Sequence, residues 1–242
     1  MNSSARGCPV LAPYLESTID NMGMRPYRAI IFDMDGVLVD SEPLHERAFM
    51  DVFTALGYGQ NHGMNFPAYY GRSDHALWGD FIARHHPTAN LETLVTWKQR
   101  RLLELVTQTQ PIFPGVLGLL EKLVRHYRLA VASGSMPPVI QAVLAMQDCG
   151  RFFSAVVSVQ EVERPKPAPD VFLRTAERLG VLPGQCCVIE DAAVGVAAAR
   201  AAGMDVIGIT NSLAAGQLAQ ATKVLASYPE IETWLLGNAD DP

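Results

Sequence analysis

The chain has 242 residues, 49% hydrophobic and 18% charged, with a formal net charge of −6. That length buries one substantial core, or a core with a small accessory domain. The negative average field argues against nucleic acid as a partner, and no apolar run reaches the roughly 18–20 residues that cross a bilayer, so a cytoplasmic monomer or weak dimer is expected.

Residues 1–24 show no clear periodicity and contain Cys8, Pro9 and Pro13. They lack the basic start and long apolar core of a signal peptide, and a poorly ordered extension is expected there. From Arg28 the pattern becomes strand–helix. Ala29–Phe32 reads as a buried strand ending at Asp33, and Leu129–Ala132 as a second ending at Ser133. Ala155–Val159, Cys187–Ile189 and Val206–Ile209 follow, the fourth ending at Glu190 and Asp191. Strands apolar on both faces imply a parallel sheet covered by helices on each side. Val116, Leu119, Leu120, Leu123, Val124 and Tyr127 form one helical stripe, and Phe172, Thr175, Ala176 and Leu179 another, stopped by Gly180. The four cysteines, Cys8, Cys149, Cys186 and Cys187, form no CxxC pair and read as reduced packing thiols.

One connection is too long. About 95 residues separate the first two strands, where a crossover usually needs about a dozen. Leu44–Leu56 is amphipathic and closes at Gly57, Leu91–Val106 also reads as helix, and Pro111, Pro114 and Gly115 mark the return. The expected organisation is an α/β fold: a Rossmann-like parallel-sheet core over residues 25–43 and 113–242, with an α-helical cap inserted over residues 44–112.

Ligands of open α/β sheets bind outside the carboxyl ends of the strands. Those ends carry Asp33, Ser133 and the Glu190–Asp191 pair, with Lys166 in the loop after the third strand. Singly, Ser133 or Asp191 reads as an N-cap, and Lys166 between prolines as a solvated loop residue. Together they suit phosphoryl transfer. A phosphomonoester dianion repels an anionic nucleophile, so a hard cation with oxygen ligands is needed between them. Asp33, Glu190, Asp191 and the carbonyl of Asp35 can supply those oxygens to Mg²⁺. Lys166 and Ser133 can hold phosphoryl oxygens where charge gathers, Asp33 can attack phosphorus, and Asp35 can move the proton.

Asp33-Met34-Asp35-Gly36-Val37, Ser133, Lys166 in Lys-Pro-Ala-Pro-Asp, and Glu190-Asp191-Ala192 resemble the four motifs of the haloacid dehalogenase superfamily, in order over residues 28–242. The insertion after the first motif resembles the cap of its β-phosphoglucomutase-like branch. The resemblance implies a cap that closes over the site, Mg²⁺, a small phosphorylated metabolite as substrate, and the roles just given to Asp33, Asp35, Ser133, Lys166, Glu190 and Asp191.

Three reactions compete, and a fourth reading is a regulatory or binding protein on a dead phosphatase fold, which would be expected to have lost an essential group; none is missing. A dehalogenase needs neither Asp35 nor a metal. A sugar-phosphate mutase shares every core motif, and Ser41 and His45 also resemble its pattern. Such mutases carry Lys before the cap glycine and Arg three residues after it, where this chain has Tyr70 and Asp74. Arg72 is the one residue that would compensate. Asp40-Ser41-Glu42-Pro43-Leu44 resembles phosphatases of sugar and sugar-alcohol phosphates, and a phosphatase is the expectation. Substrate contacts are expected from Ser41, His45, Arg72, Lys98, Gly134 and Ser135. For Lys98 the competing reading is a solvated helix face beside Arg100 and Arg101, and for His45 a surface position. Trp78, Phe81 and Trp97 read as cap core.

Overall fold

The computed structural model describes residues 27–237 apart from Gly71; the extension expected over residues 1–24 lies outside them. Six strands, β1 (Ala29–Phe32), β2 (Arg128–Ser133), β3 (Phe153–Ser158), β4 (Cys186–Glu190), β5 (Asp205–Ile209) and β6 (Lys223–Leu225), form one sheet in the order β3-β2-β1-β4-β5-β6. Every pairing is parallel. Eight α-helices accompany it among the described residues: α1 (Glu42–Ala55), α2 (Asp74–His85), α3 (Leu91–Thr109), α4 (Val116–Leu123), α5 (Pro137–Ala145), α6 (Asp170–Leu179), α7 (Ala193–Ala201) and α8 (Tyr228–Leu236).

The apolar runs are explained by burial on both faces. In β1, Ile30 and Phe32 join a core with α4, α5 and α8, while Ala29 and Ile31 join one with α6 and α7. Alternation sends successive side chains to opposite faces, so both sides of the strand must be apolar. Cys149, Cys186 and Cys187 are buried and pack within these cores, while Cys8 lies outside the described residues. The sequence reading stopped at five strands, because β6 is a three-residue segment at the sheet edge, too short to register as an apolar run. Among the described residues no helix is long and apolar enough to cross a membrane.

Helices α1, α2 and α3 stand between β1 and β2 and enclose a third cluster of Phe49, Val52, Phe53, Leu77, Trp78, Phe81, Leu94 and Val95. Its aromatic rings meet at offset and edge geometries, with Phe53 and Phe81 centroids 4.6 Å apart and Phe49 and Trp78 5.2 Å apart. The cluster is not sealed off from the sheet. Ala48 of α1 and Leu102, Leu105 and Val106 of α3 belong to the core of β1 and α4. In the sheet order, the chain turns back at β1: β2 lies on one side and β4 on the other, which opens a crevice at their carboxyl ends.

Candidate active site

Asp33 leaves β1 at that crevice, its N–H donating to the Ile189 carbonyl of β4 at 3.0 Å. The chain then turns tightly, with the N–H groups of Leu38 and Val39 returning to the Met34 carbonyl. At Gly36 φ is +76° and an added Cβ would lie 1.8 Å from Asp191 Oδ2, so glycine alone lets the turn lie against the acidic pair. Gly195 does the same from the other side: a Cβ there would stand 1.7 Å from Glu190 Oε1. The first turn of α7 thus packs on that carboxylate, and the N–H groups of Asp191 and Ala192 both donate to Glu190 Oε2 at 3.0 Å.

The Lys166 side chain is only 7% exposed, not solvated. Its Nζ donates to Asp33 Oδ1 at 2.5 Å and to Glu190 Oε1 at 2.6 Å, and it lies over the Phe172 ring. Burial alone would lower its pKa; attraction to Asp33 and Glu190 outweighs burial and pushes the ammonium above its ordinary value. Asp33, Glu190 and Asp191 bring ligand oxygens within 4.8 Å of one another. Burial drives the proton affinity of Asp33 up, Lys166 pulls it down, and Glu190 and Asp35 push it up again. Asp191 is likewise raised, by burial and then by Glu190 and Asp33. Its Oδ2 is buried without a partner. Buried, crowded carboxylates with an orphaned oxygen and no nitrogen or sulfur donor fit a hard divalent cation.

Asp35 points the other way. Its Oδ1 accepts from Ser41 Oγ at 2.6 Å and from His45 Nε2 at 3.3 Å, and its Oδ2 from Ser135 Oγ at 2.7 Å. Burial opposes ionisation, but the hydrogen bonds from His45, Ser41 and Ser135 hold its pKa well below the usual carboxylate range. Ser133 Oγ stands 3.5 Å from the same carboxylate and accepts from the Ser135 N–H. Capping does not explain Ser133 or Asp191: α5 is capped at Met136 and α7 at Ala192, neither with a side-chain cap.

Behind His45 lies a charged chain. Lys98 Nζ meets His45 Nδ1 at 2.8 Å and Asp74 Oδ1 at 2.8 Å, and Gln99 Nε2 donates to Asp74 Oδ2 at 2.5 Å. An ammonium can only donate, so His45 Nδ1 accepts and the ring proton sits on Nε2, aimed at Asp35. Lys98 is 0% exposed and does not line the cleft. It is neither a solvated residue nor placed against substrate space; it ties α3 to α1 and α2. His45, Arg72, Gly134 and Ser135 do line the cleft, whereas Ser41 is buried behind Asp35.

Several polar residues at the site escaped the sequence reading. Asn211 Nδ2 donates to the Gly36 carbonyl at 2.8 Å and to Tyr228 Oη at 2.9 Å, and Tyr228 donates to the Val37 carbonyl at 2.9 Å. Ser212 hydrogen-bonds Asp191. Asn211 and Ser212 follow β5 closely, so the strand-end rule applied once more would have found them. Glu46 and Gln99 line the helical side of the cleft and carried no such signal; Glu42 and Tyr70, whose segments were compared with the family above, line it too.

A parallel sheet with this set at its switch point defines a hydrolase fold of one class. The chain belongs to the haloacid dehalogenase-like hydrolases, whose family model matches residues 27–203. It is 34% identical to the fructose-1-phosphate phosphatase YqaB of Escherichia coli K12 over 76% of this chain and 96% of that protein. It is 35% identical to the hexitol phosphatase B of the same organism, over 74% and 82% respectively. The fold is shared with a β-phosphoglucomutase from Clostridium difficile, with a TM-score of 0.73 at 23% identity over 85% of this chain and 93% of that one.

Proposed function

We propose that this chain is a Mg²⁺-dependent phosphatase of phosphorylated sugars or sugar alcohols, acting through an aspartyl-phosphate at Asp33. The observation that carries the reading is the convergence of Asp33, Lys166, Glu190 and Asp191 within hydrogen-bonding or ligand distance, with Asp35 and Ser133 alongside. Both sugar-phosphate phosphatases above support the substrate class.

Helices α1–α3 serve as the cap. An oxygen of Asp33 forms a bond to phosphorus as the ester oxygen leaves, and Lys166 and Ser133 hold phosphoryl oxygens. Asp35, ionised among its donors at rest, must take up a proton before the first step; it gives that proton to the leaving oxygen, then takes one from the water that hydrolyses the acyl phosphate. His45 orients Asp35 for both transfers. Asp33, Glu190 and Asp191 would hold Mg²⁺, which supplies positive charge between carboxylate and phosphate. Of these, Asp191 offers a buried oxygen without a partner, whereas both oxygens of Glu190 are already engaged.

The mutase reading loses support in the cap. Tyr70 is bonded to Glu46 and Asp74 to Lys98 and Gln99, so neither offers a cation to a second phosphate. Phosphate release from hexitol and hexose monophosphates by the purified chain with Mg²⁺ tests the proposal. Asp33→Asn, nearly isosteric, is expected to keep the fold by circular dichroism and lose turnover. Retention of more than about a few per cent of wild-type kcat would rule out the covalent route.

A further inference from the structure

The helical wall of the cleft faces whatever the phosphate is attached to, and its chemistry is lopsided. Glu42 and Glu46 lie one turn apart on the same face of α1, and both line the cleft. Like charges at that spacing repel. Tyr70 Oη donates to Glu46 Oε1 at 2.5 Å and fixes that carboxylate. Glu42 has neither hydrogen bond nor ion pair among the described residues, although burial pushes its pKa up to about 6. Gln99 completes the wall from α3. Its Nε2 is committed to Asp74, which fixes the amide orientation and leaves Oε1 buried without a partner. Nothing in the cores needs these acceptors, and each costs stability while unpaired.

The cations on this side do not balance them. Lys98 is buried behind the wall and neutralised by Asp74. Arg72 is exposed at the mouth, its guanidinium 5.4 Å from the Tyr69 ring. An unpaired acceptor set asks for donors. A polyol or sugar supplies hydroxyl groups, while a second phosphate or a carboxylate supplies only acceptors and negative charge.

We infer that Glu42, Glu46 and Gln99 are specificity residues that read the hydroxyl groups of an uncharged polyhydroxylated leaving group and exclude a second anion. The inference rests on the phosphatase reading of the same cleft. Preferred substrates are therefore monophosphates of neutral sugars or sugar alcohols, and bisphosphates and phosphorylated acids are disfavoured. Glu46 presents its second oxygen to the substrate, Tyr70 acting as its positioning residue.

The test measures kcat and KM of the full chain with Mg²⁺ on sorbitol 6-phosphate, fructose 1-phosphate, fructose 1,6-bisphosphate, 2-phosphoglycolate and p-nitrophenyl phosphate. The wild type is expected to favour the two monophosphates over the bisphosphate and phosphoglycolate by about tenfold or more in kcat/KM. Glu42→Ala and Gln99→Met should each raise KM for the monophosphates about tenfold, the scale of a lost hydrogen bond to a charged or buried group. KM for p-nitrophenyl phosphate, whose leaving group has no hydroxyl to read, should rise clearly less than KM for the monophosphates, so the ratio of the two is the readout; circular dichroism shows that each variant is folded. Glu42→Gln removes charge but keeps an acceptor, so it should relax exclusion of the bisphosphate more than it weakens the monophosphates. A wild type that prefers the bisphosphate or phosphoglycolate, or variants whose KM rises equally for p-nitrophenyl phosphate, would overturn the specificity assignment alone. No turnover of any ester would overturn the phosphatase reading and this inference with it.

Discussion

Asp35 sits among four donors, Ser41, His45, Ser133 and Ser135, at the point where a proton must come and go. Those donors favour its ionised form, which suits taking a proton from water. Asp35→Asn is expected to lower kcat on an alkyl phosphate by ~10²–10⁴-fold. The loss should be much smaller on p-nitrophenyl phosphate, whose leaving group needs no proton; equal losses would remove Asp35 from proton transfer. Glu42 gives a second expectation. Its native pKa, raised by burial from 4.5 to about 6, means the folded state holds that proton more tightly than the unfolded chain. The associated stability is present below about pH 4.5 and is lost as pH rises through about 6. Glu42→Gln should therefore melt higher than wild type at pH 7, by on the order of 1 kcal/mol after allowance for solvent. The difference should shrink toward pH 4.5 in paired thermal melts. The core residues were legible in sequence because each follows a strand, and a strand end has one place to point. Glu42, Gln99 and Lys98 were not, because a helical residue acquires its role from the helix packed against it. Lys98 resembled its neighbours Arg100 and Arg101, and only the approach of His45 and Asp74 marks it as buried.

At the scale of elements, the Asp74–Lys98–His45 chain joins α2, α3 and α1 at the cleft, beside the Gln99–Asp74 and Arg101–Asp51 contacts. Lys98→Met leaves Asp74 charged and largely enclosed, and breaking a buried pair in this way typically costs ~3–5 kcal/mol. The double change with Asp74→Asn should recover part of that loss, and urea unfolding of the two variants measures the coupling. Helix α3 begins at Leu91, as expected, because the Asn90 side chain accepts from the Thr93 N–H there. Helix α2 was not read as a helix. Its Ser73 forms no side-chain cap, and its buried residues Leu77, Trp78 and Phe81 are too few to show a stripe among polar neighbours.

Across the whole molecule the acidic cluster links metal, stability and turnover. Removing divalent cations with EDTA should abolish activity, and Mg²⁺ should restore it. Ca²⁺, with a larger and looser shell, should bind without supporting turnover. Mg²⁺ should also raise the melting temperature, because relieving three crowded carboxylates stabilises only the folded chain; at a concentration 100 times Kd the gain is ~2.7 kcal/mol. Asp191→Asn should abolish that shift, and full activity in EDTA would refute the metal.

Helix α3 is shared property. Its N-terminal half supplies Leu94 and Val95 to the aromatic cluster of α1 and α2, and its C-terminal half supplies Leu102, Leu105 and Val106 to the core of β1 and α4. A continuous 19-residue helix is stiff over roughly 28 Å. A chimera that exchanges residues 44–112 for those of another family member would import half a helix shaped for foreign neighbours beneath the sheet. Recombination inside α3, between Val95 and Leu102, would carry the specificity-bearing half across and leave the native footing in place. New substrate ranges are therefore easier to reach by splicing within this helix than by swapping the whole insertion.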